Sequence, residues 1–139
     1  MIDFHTFFTG RLWSVMSWEQ LDAFWLCIDP AAGWYLYAVG EPAPTTPATA
    51  EQVSAFMVQI DALLHKEHHH DYCGIVYADQ LDKPGFIKIF DPNNLGVSCG
   101  FSDNPPLPGW ILCRVPPEDL KPAVPLPEGR KRWWRGLFG

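Results

Sequence analysis

Thr49-Ala50-Glu51-Gln52-Val53-Ser54-Ala55-Phe56-Met57-Val58-Gln59-Ile60-Asp61-Ala62-Leu63-Leu64 is the stretch from which the fold is read. Thr49 and Gln52 have the Thr-x-x-Gln form of a capping box, in which each side chain satisfies a backbone N–H left over at a helix start. From there Val53, Phe56, Met57, Ile60, Leu63 and Leu64 recur at i, i+3, i+4, i+7, i+10 and i+11. That spacing lines up one apolar stripe on an α-helix and demands a surface to cover it. Lys66 and His68-His69-His70 follow, cations or potential cations where the negative end of the helix dipole favours them.

Downstream the period changes from helical to extended. Tyr72–Ala78, Phe86–Phe90 and Trp110–Val115 are short β-rich runs separated by turn-forming segments, Asp79 to Gly85 and Asn104 to Gly109. Val97–Phe101 reads as a brief additional strand. Upstream, Ser17-Trp18-Glu19-Gln20 is another capping box and opens a short helix. Phe24–Ile28 and Trp34–Val39 flank a Pro/Gly turn and read as a hairpin, although the first run can equally finish the preceding helix. The predicted fold is therefore α+β: an antiparallel sheet, made of an N-terminal hairpin and a C-terminal meander, packed against one long amphipathic helix.

The chain has 139 residues, 47% of them hydrophobic, which suffices for one packed core. We read residues 1–115 as a compact domain, 116–129 as a proline-rich spacer and 130–139 as a tail. Five prolines between Pro116 and Pro127 favour extended polyproline II. The tail differs sharply in charge. Residues 1–129 hold six Lys/Arg against sixteen Asp/Glu, whereas 130–139 hold four cations and no acid. Six scattered cations on an acidic body argue against nucleic-acid binding, which needs clustered positive charge. The N-terminus lacks a basic region followed by an apolar run, so the expected location is cytoplasmic, with peripheral membrane contact through the tail as an option. Cys27, Cys73, Cys99 and Cys113 are then expected to stay reduced.

Drawn as a helix, Trp133, Trp134, Leu137 and Phe138 share one arc, and Lys131, Arg132 and Arg135 the other. So short a segment cannot hold a helix alone in water and must order on contact. Trp and Arg are also the types enriched at binding hot spots. The residues expected to meet a partner are Arg130, Lys131, Arg132, Trp133, Trp134, Arg135, Leu137 and Phe138. Three surfaces compete for them: a groove on a partner protein, an anionic membrane surface, and the acidic body of this chain or of a second copy.

Chemistry has fewer footholds. If the helix continues past Leu64, His65 and His69 stand at i and i+4, and Cys73 or Asp71 adds a third metal ligand after the turn. Both histidines fall away from the apolar stripe, so a solvent-exposed, His-rich helix end is the better account of them. Cys73 beside three histidines and Asp71 is also a candidate thiolate, but Cys27, Cys73 and Cys113 sit in apolar runs and read as core. Asp91-Pro92-Asn93-Asn94-Leu95-Gly96 is a tight turn without calcium-loop spacing, and the eleven glycines form no phosphate-binding loop. No cofactor motif is present. The leading expectation is a non-enzymatic accessory or adaptor protein that docks through its tail, with a protein partner or a second copy as the target. The rival is a small metal- or thiol-dependent protein built on the 65–73 segment. A purely structural subunit is the third class, in which Trp18, Trp25, Trp34 and Trp110 would be exposed; burial of these side chains is the better expectation.

Overall fold

A computed structural model describes residues 3–93, 107–122 and 125–138. The elements run α1 (Phe4–Thr9), β1 (Trp13–Val15), α2 (Trp18–Trp25), β2 (Tyr35–Ala38), α3 (Ala50–Glu67), β3 (Val76–Ala78), β4 (Phe86–Ile89), β5 (Trp110–Cys113) and α4 (Glu128–Phe138). The strands form one antiparallel sheet in the order β1-β3-β4-β5-β2. The fold is α+β, and α3 is its long helix. No described helix is long and apolar enough to cross a membrane.

Both capping boxes form. Thr49 accepts from the Gln52 backbone while Gln52 reaches back to the Thr49 N–H, and Ser17 and Gln20 do the same at α2. The stripe of α3 is buried as its period requires: Val53, Phe56, Ile60 and Leu64 have no exposure and Leu63 has little. Each such side chain contributes about 1.5–3 kcal/mol by leaving water. The strands that follow pair as β3-β4-β5, the predicted meander, with Ile87 opposite both Ala78 and Leu112.

The N-terminal hairpin does not form. Phe24 and Trp25 instead complete α2, because the Ser17 capping box launches a helix whose Leu21 and Phe24, three apart, face the core. Leu26 caps its C-terminus, and Cys27 is exposed rather than sitting within a strand. β2 pairs with β5 across a long sequence separation, with Leu36 opposite Leu112 and Tyr37 opposite Ile111. The short strand β1 takes the opposite edge, against β3. Chain leaving β2 must therefore pass β5 and β4 to reach β3, and α3 makes that crossing over one face. The Val97–Phe101 strand expectation lies outside the described residues, as do Cys99 and part of the Asp91–Gly96 turn.

A second difference concerns the sheet faces. Strand residues alternate between two cores. Leu36, Ala38, Val76, Ala78, Ile87, Ile89, Trp110 and Leu112 meet α2 and α3, while Tyr37, Phe86, Ile111 and Cys113 meet the other side. That other side is covered by α1, whose Phe4 and Phe7 rings lie 5.7 and 5.5 Å from Phe86. The fully buried Trp110-Ile111-Leu112-Cys113 run needs both covers. Lys88 is drawn inward on the α1 side: its ammonium donates to the Phe8 carbonyl at 2.7 Å and sits 3.8 Å from the Phe8 ring centroid. Burial lowers its pKa. The segment after β5 is tied down as well. Leu120 N–H donates to the Tyr37 hydroxyl at 2.7 Å, and Asp119 accepts from Ala43 N–H at 2.7 Å. Trp34 and Trp110 are buried, and Trp18 and Trp25 pack partly buried at the edge of the main core.

Phe86→Ala removes the ring that α1 grips on a fully buried position. It should cost about 3–5 kcal/mol, read as a lower urea midpoint. Limited proteolysis should then cut first around residues 4–12, since α1 loses its principal contact.

Candidate functional site

The tail forms helix α4 and lies against the body of its own chain. Of the surfaces open to it, this is the one the structure displays. Arg130 provides the polar anchor. Its guanidinium donates to Asp91 through Nε (2.8 Å to Oδ2) and Nη2 (2.9 Å to Oδ1), and to Glu67 through Nη1 (2.9 Å to Oε2) and Nη2 (3.0 Å to Oε1). One planar cation thus grips two carboxylates in fork geometry, the arrangement that gives Arg its strength over Lys. Glu67 is the last residue of α3 and Asp91 follows β4, so the clamp joins three elements. Asn93 donates a further hydrogen bond to Glu67. The Arg130 hydrogen bonds hold the Glu67 carboxyl below its ordinary pKa, and the Asp91 and Glu67 carboxylates raise that of Arg130.

The aromatic anchor lies one turn on. Trp133 meets Trp110 at 5.4 Å and Phe56 at 6.4 Å between ring centroids, both edge-to-face, and Trp134 meets Phe56 at 5.9 Å. Leu137 also packs on the main core. Contact with Phe56 and Trp110 supplies the ordering that a helix this short needs. The opposite arc is polar. Arg132 and Arg135 are exposed; Lys131 lies 3.5 Å from Glu128, and Arg135 lies 3.5 Å from Glu41. Surface pairs of this length are worth at most about 1 kcal/mol. The Phe138 side chain lies outside the described residues.

The 65–73 segment is arranged differently from its sequence expectation. Helix α3 stops at Glu67, and His68 caps it in an extended conformation (φ −101°, ψ 93°). His69 is therefore not on the helix, and the i, i+4 relation with His65 is lost. Cys73 is buried, its N–H bonded to the Met16 carbonyl at 2.8 Å, and burial pushes its thiol pKa up rather than down. The donors of His65, His69 and Cys73 are not brought together; among the described residues the set that converges is Asp22, Asp61 and His65. Cys113, likewise buried, has its thiol pushed up to about 12. Neither buried thiol is a poised nucleophile.

What the histidines do form is the wall of an open cleft of about 320 Å³, lined by Trp18, His65, His68, His69, His70 and Asp71. Trp18 is its centrepiece: the indole stacks on His65 at 4.3 Å and donates from Nε1 to the His70 carbonyl at 3.0 Å. His68 is buried behind it, its Nε2–H donating to the Cys73 carbonyl at 2.7 Å. Burial lowers the His68 pKa, with His70 and His69 adding smaller repulsions. The residues that sequence reasoning missed are Glu67 and Asp91 as receptors of Arg130, and Asp22 and Asp61 beside His65. Asp61 and His65 carried a local signal, their i, i+4 spacing, whereas Asp22 comes from another helix. No protein-family model, curated protein or solved structure matches the chain.

Two outcomes follow from these geometries. Arg130→Ala leaves Glu67 and Asp91 facing each other without their cation and should cost about 3 kcal/mol at neutral pH. Because the folded-state pKa of Glu67 is depressed, its contribution is complete above the ordinary value of 4.5 and is lost as pH falls through the lower folded value. The stability gap between wild type and Arg130→Ala, measured by urea unfolding, should therefore narrow below about pH 4.5. His68 acts in a higher window. Below 6.5 the unfolded chain binds a proton that buried His68 resists, so wild-type stability should decline as pH drops through 6.5. His68→Gln keeps a donor for the Cys73 carbonyl and should flatten that slope; an unchanged slope would assign it to other groups.

Proposed function

We propose that this is a non-enzymatic accessory protein that docks on the acidic surface of a partner protein through helix α4. The observation that carries this reading is the anchoring of α4. The Arg130 clamp and the Trp133 and Trp134 contacts hold the helix on the body, while Arg132 is exposed and Arg135 stays largely exposed beside Glu41. A docking helix that is already folded avoids the entropy of ordering on encounter, and what it presents outward is positive charge on an otherwise acidic molecule. Such a ridge steers an acidic partner and selects against basic ones. An anionic membrane offers the same attraction, but the Trp side chains that would enter the lipid interface are here turned toward Phe56 and Trp110.

The test is a double charge reversal, Arg132→Glu/Arg135→Glu, in the full-length protein. Both positions are exposed, and with the surface Arg135–Glu41 pair lost stability should move by no more than about 1 kcal/mol. Affinity purification after in-cell crosslinking should recover a partner in stoichiometric amount with wild type and lose it with the variant, and the complex should weaken as salt rises. Equal recovery by both proteins overturns the reading. So does flotation of wild type alone with vesicles containing phosphatidylserine when no protein partner is recovered.

A further inference from the structure

Two carboxylates and an imidazole meet where side chains of α2 and α3 come together. Asp22 comes from α2, and Asp61 and His65 stand one turn apart on α3; their donor atoms all lie within 4.8 Å of one another. His65 Nε2 is 3.5 Å from Asp61 Oδ1. Among the described residues neither carboxylate is paired with a Lys or Arg. Two like charges held this close repel unless a cation joins them.

We propose that Asp22, Asp61 and His65 form a binding site for a divalent transition metal of the Zn²⁺ type, which staples α2 to α3. The donor set favours that class. Two carboxylates balance a 2+ charge, and the neutral imidazole selects against Mg²⁺ and Ca²⁺, which take oxygen ligands. Metal–ligand bonds of about 2.0–2.2 Å place donor atoms about 3–4 Å apart, so small side-chain rotations close the set. The orientation of the ligands is already constrained from outside. Trp25 Nε1–H donates to Asp61 Oδ1 at 3.0 Å, the oxygen that faces His65, and Trp18 stacks on the His65 ring at 4.3 Å. Hydrogen bonding and packing of this kind fix ligands and raise affinity. Three protein ligands leave coordination positions for water, and His65 also lines the histidine cleft. The site is separate from α4 and does not depend on the docking reading.

The experiment titrates untagged full-length protein with ZnCl₂ by calorimetry and with CoCl₂ by visible absorption. Wild type should bind one Zn²⁺ per chain and melt at a higher temperature when loaded, and Co²⁺ should show ligand-field bands. Asp22→Asn and His65→Ala, both at exposed positions, should fold as wild type by near-ultraviolet circular dichroism and lose at least about tenfold in Zn²⁺ affinity. His69→Ala/His70→Ala should bind as wild type. Absence of stoichiometric binding overturns the proposal, as does wild-type affinity in Asp22→Asn. Loss confined to the His69→Ala/His70→Ala protein overturns it too, because the metal would then belong to the histidine cleft.

Discussion

The apolar stripe of α3 is pressed against the sheet with Val53, Phe56, Ile60 and Leu64 withdrawn from water, and this contact sets the rotation of the helix about its own axis. Once that rotation is set, every other residue of α3 has an assigned direction. Phe56 lies toward one end, where Trp133 and Trp134 reach it; Asp61 and His65 lie on the flank facing α2; Glu67 ends the helix beside Asp91. Changing the register of the stripe would move all three features together. The helix is thus the common reference for the docked tail, the histidine cleft and the carboxylate–imidazole cluster.

The tail completes the body as well as decorating it. Glu67 and Asp91 are low-exposure acids converging on one point, and a guanidinium there removes a repulsion that would otherwise oppose the approach of α3 and β4. Gly109 lets Asp91 come close, since a side chain at that position would meet the Asp91 Cβ at 3.2 Å. The segment leading to α4 is tied to Tyr37 and Ala43 through Leu120 and Asp119, so this part of it lies along the body near β2. Gly40 contributes to that passage: its φ of +108° suits glycine, and an added Cβ would lie 3.2 Å from Leu126. Charge asymmetry along the chain is therefore partly an internal matter, with one of the four tail cations consumed by two acids of the body.

Much of this was legible in the sequence because it is local. The stripe of α3, both capping boxes, the strand runs of the β3-β4-β5 meander and the two arcs of α4 each rest on patterns a few residues long. The hairpin failed for the opposite reason. Phe24–Ile28 is apolar enough for either helix or strand, and the Ser17 cap together with burial of Leu21 and Phe24 decided for the helix. The partner of β2 lies on β5, and nothing near β2 names it. Similarly, Arg130 finds acids 39 and 63 residues away, and Asp22 meets Asp61 and His65 only because α2 lands on α3. The His65–His69 pairing required the helical period to continue past Glu67, and at His68 the chain turns extended.

The two acidic pairs around α3 have the same electrostatic problem and different solutions. At the end of the helix, Glu67 and Asp91 share a cation from their own chain, supplied by a segment that must fold back to deliver it. On the flank, Asp22 and Asp61 have no such segment within reach among the described residues, and the nearest basic group is the His65 imidazole, charged only when protonated. An imidazole is a common metal ligand. A covalently tethered cation binds at every concentration of solute, whereas a free one binds in proportion to its availability. The first pair therefore belongs to the permanent structure, and the second is the place where the solution composition can act on the packing of α2 against α3.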